Sequence, residues 1–216
     1  MADVRIEAAK VERPFPGKDH DRVFLDNEQR LYGVFDGAAN PYASALAAAT
    51  VQQLVRSSTL RGVDHAFAII QDNLLTAFGG RLLTTGTLLH IQEDSATFAA
   101  AGDSPLYTYD HAAGALRRET IDESMRLPGR INADNFLGSP LHQLKQLGTH
   151  ALTADTTYAL MSDGLTDEFY PGHLTDDVIA DALSSNQTSE QIAQELMDRA
   201  AVFDDAAVIV VRVSLS

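Results

Sequence analysis

The stretch Tyr32-Gly33-Val34-Phe35-Asp36-Gly37 is a short apolar run that ends on a carboxylate followed at once by glycine. A strand holds its side chains with little positional slack, and a glycine behind the carboxylate lets the backbone turn so that its own carbonyl faces whatever the Asp holds. That arrangement presents oxygen ligands to a hard cation. The device recurs at Tyr158-Ala159-Leu160-Met161-Ser162-Asp163-Gly164, and an acidic pair, Asp204-Asp205, stands directly before the strand-like run Ala206 to Val213. A single Asp-Gly pair is an ordinary turn dipeptide. Carboxylates at the edges of apolar runs far apart in sequence point instead to one shared site. Like charges gathered in a low-dielectric cleft repel, so such a cluster persists only if a metal neutralises it or some carboxyls stay protonated. Metal is the simpler answer.

The elements that must position these groups fit one α+β domain over residues 1–216, with 45% hydrophobic content. Sixteen Lys plus Arg against thirty Asp plus Glu leave a formal charge of -14, which disfavours nucleic acid or an anionic membrane surface as the main partner. There is no cysteine, so disulfides, thiolate zinc sites and cysteine nucleophiles are excluded. Met1 to Glu7 alternates polar and apolar residues and reads as a strand, not a signal peptide. No apolar stretch approaches the ~20 residues that span a bilayer, and the default location is the cytoplasm.

Arg13-Pro14-Phe15-Pro16-Gly17 ends the opening strand with turn chemistry. Arg22 to Asp26 returns through Asn27 to Arg30 into the Tyr32 to Asp36 strand, which puts Asp21 one hairpin from Asp36. Asn40-Pro41 is a helix start, with Asn as N-cap and Pro at the first helical position. An alanine-rich helix follows over Ala43 to Leu54, then a second from Asp64 to about Ala77 with Ala66, Ile69, Ile70 and Leu74 inward. Thr84 to Gln92 and Ala96 to Tyr109 read as two antiparallel strands, and His111 to Gly114 turns into a further short one. Residues Ile121 to Leu152, broken by Pro128, Gly129, Gly138, Pro140 and Gly148, read as irregular. The strand to Asp163 comes next, then helices around Asp176 to Leu183 and Ser189 to Ala201, then the final strand.

Taken in order, short motifs across nearly the whole chain resemble the metal-dependent protein phosphatases of the PP2C type in their small bacterial form. Asp19-His20-Asp21 resembles the opening N-x-D, Val34 to Gly37 matches V-x-D-G, and Thr85-Gly86-Thr87 resembles G-T-T. Ala101 to Ser104 matches x-G-D-S, Met161 to Asp167 matches x-S-D-G-L-x-D, and Asp204 to Val208 resembles D-N-x-T-V. The resemblance implies a four-layer αββα sandwich, two antiparallel sheets flanked by helix pairs, with a two-metal site at one end. By motif position Asp36 bridges two Mn2+ or Mg2+ ions, the Gly37 carbonyl binds one, and Asp163 and Asp204 bind the other. Asp21 holds metal-bound water, and Asp122 is the natural residue for a weak third ion. The implied activity is hydrolysis of phosphoserine and phosphothreonine by a metal-bridging hydroxide. The implied partner is a phosphorylated protein, in the pathway of a cognate Ser/Thr kinase.

The chain departs from the pattern at three places. The Arg that usually grips phosphate, five residues before the Asp of the opening motif, is Pro16; Lys18 is the substitute point charge, with Arg13 also near. The D-G-x-G-G-H stretch is Asp36-Gly37-Ala38-Ala39-Asn40-Pro41, so its histidine is missing, and His20 is the nearest proton donor. The Arg after G-D-S is Pro105. These losses motivate an alternative, a weak or inactive pseudophosphatase that binds a phosphoprotein or kinase. His65, His90 and His173 sit in helix, strand and loop settings that need no chemistry, and His111, His142 and His150 read as turn or loop residues. A dehalogenase-type aspartyl nucleophile at Asp36 is excluded, because that chemistry needs a second Asp where Ala38 stands.

Overall fold

The computed structural model describes residues 4–38, 40–123, 125–127, 130–132, 135–152 and 154–215. Met1 to Asp3 of the opening strand, Ala39 of the Asp36–Pro41 stretch, and Pro128 and Gly129 lie outside the described residues.

Strand β1 (Val4–Arg13) alternates inward and outward residues. Strands β2 (Asp21–Asp26) and β3 (Leu31–Asp36) form a hairpin whose turn closes on Arg30 at φ 53°. Helix α1 (Pro41–Arg56) starts as its sequence dictates: the Asn40 side chain accepts the Tyr42 N–H at 2.9 Å, and Pro41 needs no partner at the first position. Helix α2 (Val63–Phe78) stops at left-handed Gly79. Its buried face is Val63, Ala66, Phe67, Ile70 and Leu74; Ile69, expected inside, is only partly buried beside them.

After β4 (Gly86–Ile91) the structure corrects the reading of Ala96 to Tyr109 as one strand. It is two, β5 (Ser95–Ala101) and β6 (Leu106–Asp110), and they belong to different sheets. Gly102 adopts φ +89°, outside the β region, and Pro105 has no N–H for a ladder, so pairing breaks between them. The crossing between sheets carries Asp103 and Ser104. Strand β7 (Ala115–Arg118) pairs with β6.

The segment read as irregular, 121–152, holds a small hairpin, β8 (Met125–Leu127) with β9 (Arg130–Asn132), and a six-residue strand, β10 (Gln146–Ala151), paired with β5. Its inward positions are Gln146, Gly148 and His150, while Leu147 faces out. The usual apolar-in alternation is therefore inverted, which hides β10 from hydrophobic pattern. His150, read as a loop residue, is a strand residue stacked on Phe98 at 5.5 Å. Strand β11 (Thr156–Met161) runs into a one-turn helix, α3 (Asp163–Thr166). Helices α4 (Asp176–Ser184) and α5 (Ser189–Arg199) and strand β12 (Ala206–Leu215) follow, with a Thr188–Gln191 capping box starting α5.

Among the described residues every strand pair is antiparallel, and apart from the β8–β9 hairpin the strands form two five-stranded sheets ordered β1-β12-β11-β6-β7 and β10-β5-β4-β3-β2. The sheets pack through Tyr32, Val34, Leu89, Ile91 and Phe98 against Leu106, Tyr158, Leu160, Ile209 and Val211. The alternate residues of the same strands face helices. Leu31, Phe35 and Leu88 meet α1 and α2, while Ala159, Met161, Val208 and Val210 meet α4 and α5. Helix pair, sheet, sheet, helix pair is the αββα sandwich expected. Among the described residues no helix is long and apolar enough to cross a membrane.

Candidate metal centre

The register of the β2–β3 hairpin sets Asp21 directly opposite Asp36, at the end of the sheet. The backbone of Asp36 is fixed from both sides. Its N–H donates to Thr85 Oγ1 at 3.1 Å, and its carbonyl accepts from Thr85 N at 2.8 Å and Thr84 Oγ1 at 2.7 Å. Thr85 Oγ1 lies 2.6 Å from Ser104 Oγ, and Thr87 Oγ1 donates to the Ser104 carbonyl at 2.6 Å. The Thr85–Thr87 and Gly102–Ser104 motifs thus form one hydrogen-bonded base beneath the carboxylate.

Asp21 is buried, and neither of its carboxylate oxygens has a hydrogen-bond partner. Burial pushes its pKa up to about 7; the nearby Ser162 hydroxyl works against this, and the charges of Asp163 and Asp205 add to it. Burial, and then the charge of Asp21, holds Asp36 well above the usual carboxylate range, while contact with Asp163 acts the other way.

Asp163 is the first residue of the one-turn helix α3. A Cβ on the next residue, Gly164, would stand 1.9 Å from the Asp205 carbonyl. Only glycine lets this turn of helix press against the start of β12, and so bring Asp163 beside the acidic pair there.

That pair divides its work. Asp205 is buried, and its two oxygens accept the N–H groups of Phe15 at 2.7 Å and His20 at 2.6 Å, bracketing the loop between β1 and β2. Within the bracket, Phe15-Pro16-Gly17-Lys18 makes a turn closed by Lys18 N to Phe15 O at 2.9 Å, with Gly17 at φ +84°. The turn aims Lys18 at Asp204: Nζ lies 2.7 Å from each carboxylate oxygen. Asp204 also accepts the Tyr170 hydroxyl at 3.0 Å and the Asp205 N–H at 2.8 Å. Burial would raise the Asp204 pKa, but the bonds from Lys18, Asp205 N–H and Tyr170 outweigh it and bring it below the ordinary value.

Two clefts meet here. One, of about 380 Å3, is lined by Lys18, His20, Asp36, Gly37, Asp163 and Asp204 among others. Its neighbour, of about 410 Å3, includes Asp122, Arg118, Asp167 and Phe169, and the two share Asp103 and Asp163. The fold therefore gathers Lys18, Asp36, Gly37, Asp163 and Asp204 on one cleft, with buried Asp21 paired across the strands with Asp36 and Asp122 in the adjoining cleft. Asp103, common to both, was not a sequence candidate. Its signal is the Ala101 to Ser104 match to x-G-D-S, and a single strand over Ala96 to Tyr109 conceals the crossing that carries it.

Among the described residues no three His, Asp or Glu side chains already converge as a ready metal-binding group. The donor set nonetheless fits a hard divalent cation. Asp21 and Asp36 are adjacent carboxylates, and the buried one has no donor, a condition that a nearby positive charge relieves.

No protein-family model and no curated protein matches the chain. Solved structures do. The catalytic domain of serine threonine protein phosphatase PstP, in complex with 2 manganese ions, is similar with a TM-score of 0.78 at 20% identity, over 99% of this chain and 100% of that one. PppA, a key regulatory component of T6SS in Pseudomonas aeruginosa, gives 0.77 at 22%, over 98% and 100%. The PPM Ser-Thr phosphatase MsPP from Mycobacterium smegmatis, in complex with cacodylate, gives 0.75 at 22%, over 98% of each chain. Over nearly its whole length, the chain has the fold of these phosphatases.

Proposed function

We propose that the chain is a Mn2+- or Mg2+-dependent protein serine/threonine phosphatase, acting in the cytoplasm on a phosphorylated bacterial signalling protein. The observation that carries this reading is the buried Asp21, with no hydrogen-bond partner on either oxygen, paired across the strands with Asp36, which lines one cleft with Asp163 and Asp204. The shared fold with phosphatases, one of them solved with 2 manganese ions, supports it.

Asp36, the Gly37 carbonyl, Asp163 and Asp204 would hold two ions, and Asp122 with Asp103 a third. Bound there, the ions would acidify water and neutralise phosphoryl oxygens. Asp21, whose two oxygens have no hydrogen-bond partner, would accept hydrogen bonds from water held by the ions. Lys18, on a flexible stem in the same cleft, supplies a point charge for the phosphoryl group in place of the missing arginine. His20 lines the cleft and can donate to the leaving serine or threonine oxygen. No cysteine or aspartyl-phosphate intermediate is needed.

The test is phosphate release from p-nitrophenyl phosphate and a phosphothreonine peptide, with and without millimolar Mn2+, beside Asp36→Asn. The expected result is Mn2+-dependent turnover that the variant lacks. Metal binding by calorimetry without turnover would replace this reading with the non-catalytic phosphoprotein-binding module.

A further inference from the structure

Asp204 has no acceptor site left to give. Lys18 reaches both of its oxygens, the Asp205 N–H takes a second position on Oδ1, and the Tyr170 hydroxyl a second position on Oδ2. A carboxylate has about four lone-pair sites, so Asp204 can ligate an ion only by releasing a partner. The three partners differ in how readily they leave. The Asp205 N–H is main chain at the start of β12. Tyr170 is partly buried, and its ring stacks on Phe203 at 6.2 Å with a 17° interplanar angle. Lys18 is exposed, on an unbranched stem, and the turn that carries it is held by Asp205 whatever its ammonium does. It also lines the same cleft as Asp36 and Asp163.

Resting on the phosphatase reading above, we infer that Lys18 is a displaceable internal cation. It neutralises Asp204 until a divalent ion takes that carboxylate, and the ammonium so released turns to the phosphoryl group. Metal loading at Asp204 and phosphate binding are then coupled through one side chain. The ion reaching Asp204 must compete with a charge of the same sign already seated there, so this is the weaker metal step. The chain makes up for the missing arginine only after that step is complete.

The experiment is calorimetric titration of Mn2+ into chelator-stripped full-length protein, then of inorganic phosphate into the Mn2+-saturated protein, for the parent, Lys18→Met, Lys18→Arg and Tyr170→Phe. Lys18→Met is expected to tighten the weaker Mn2+ step about three- to tenfold, the strength of a partly exposed ion pair, and to weaken phosphate binding by a similar factor. Lys18→Arg should stay near the parent in the Mn2+ titration. Tyr170→Phe should tighten Mn2+ less and leave phosphate unchanged. Mn2+ affinity in Lys18→Met equal to or below that of the parent overturns the competition, and unchanged phosphate affinity overturns the transfer. Mn2+ binding by Lys18→Met alone would support displacement in its strongest form. Failure of every protein to bind Mn2+ would remove the metal-dependent reading and this inference together.

Discussion

The two acidic pairs that flank the cleft are built from the same residue under opposite conditions. Asp21 and Asp36 are side by side on neighbouring strands, and Asp21 has no donor to either oxygen. Asp204 and Asp205 are side by side in sequence, and every oxygen of theirs is hydrogen-bonded. Burial drives the first pair toward its neutral form, whereas Lys18 and two other donors keep Asp204 ionised. Residue type therefore says little about which carboxylate awaits a cation; the count of donors already in place decides it. The strand pair is left to take up protons or a cation, and the pair before β12 is already satisfied by the chain itself.

The largest test of this contrast is catalytic. Asp36→Asn should lower kcat/KM on a phosphothreonine peptide by about 10^3-fold or more, equivalent to losing several kcal/mol of charge stabilisation, with the fold intact by circular dichroism. Asp204→Asn should cost less, about 10^2-fold by the same conversion. The opposite ranking would mean that the satisfied pair, not the orphaned one, anchors the ions.

A second test uses pH on chelator-treated protein. The folded pKa of Asp21 is about 7 against 3.8 for the free side chain, so its contribution to stability is full below pH 4 and is lost as pH rises through 7. The stripped protein should therefore be less stable at pH 8 than at pH 5 by on the order of 3 kcal/mol from Asp21 alone, and melt at lower temperature. Asp21→Asn should flatten that difference, and Mn2+ should restore the parent at pH 8. A parent that melts no lower at pH 8 would show that its strand pair is not strained by charge.

The smallest effect belongs to the bracket. Asn at position 205 has one acceptor oxygen where Asp205 serves two N–H groups, so Asp205→Asn should cost about 1–3 kcal/mol in urea unfolding. Activity should fall less than for Asp204→Asn. If it falls more, the ligand register at this end of the site is off by one residue.

Much of this site was legible because its carboxylates sit at the ends of apolar runs, and the strand period shows where each run stops. Asp36, Asp163 and Asp204 stood out for that reason, and the Asn40-Pro41 helix start for its capping chemistry. The role of Asp103 was not legible, because Ala96 to Tyr109 is apolar on both sides of the break and nothing but Gly102 and Pro105 marks a change of sheet. Strand β10 was missed because its inner face is Gln, Gly and His. The bracket made by Asp205 joins residues 185 or more positions apart, a pairing that no local pattern encodes. Lys18 was visible as a cation, but its partner depends on that bracket.

The pairing of β1 with β12 along ten residues each has a consequence for vectorial synthesis. The second sheet and its helices are complete within residues 21–151, so that half can assemble while the ribosome is still working. Strand β12, which lies between β1 and β11, emerges after every other element described. Until it does, β1 has no partner and the inner face of the second sheet, with Tyr32, Val34 and Leu89, lacks the cover of Ile209 and Val211. Nascent chains stalled before residue 206 thus present an open apolar face and an unpaired edge, the form that chaperones and proteases recognise. Asp204, Asp205 and β12 arrive in the same few residues, so the acidic cluster is finished only when the sandwich closes.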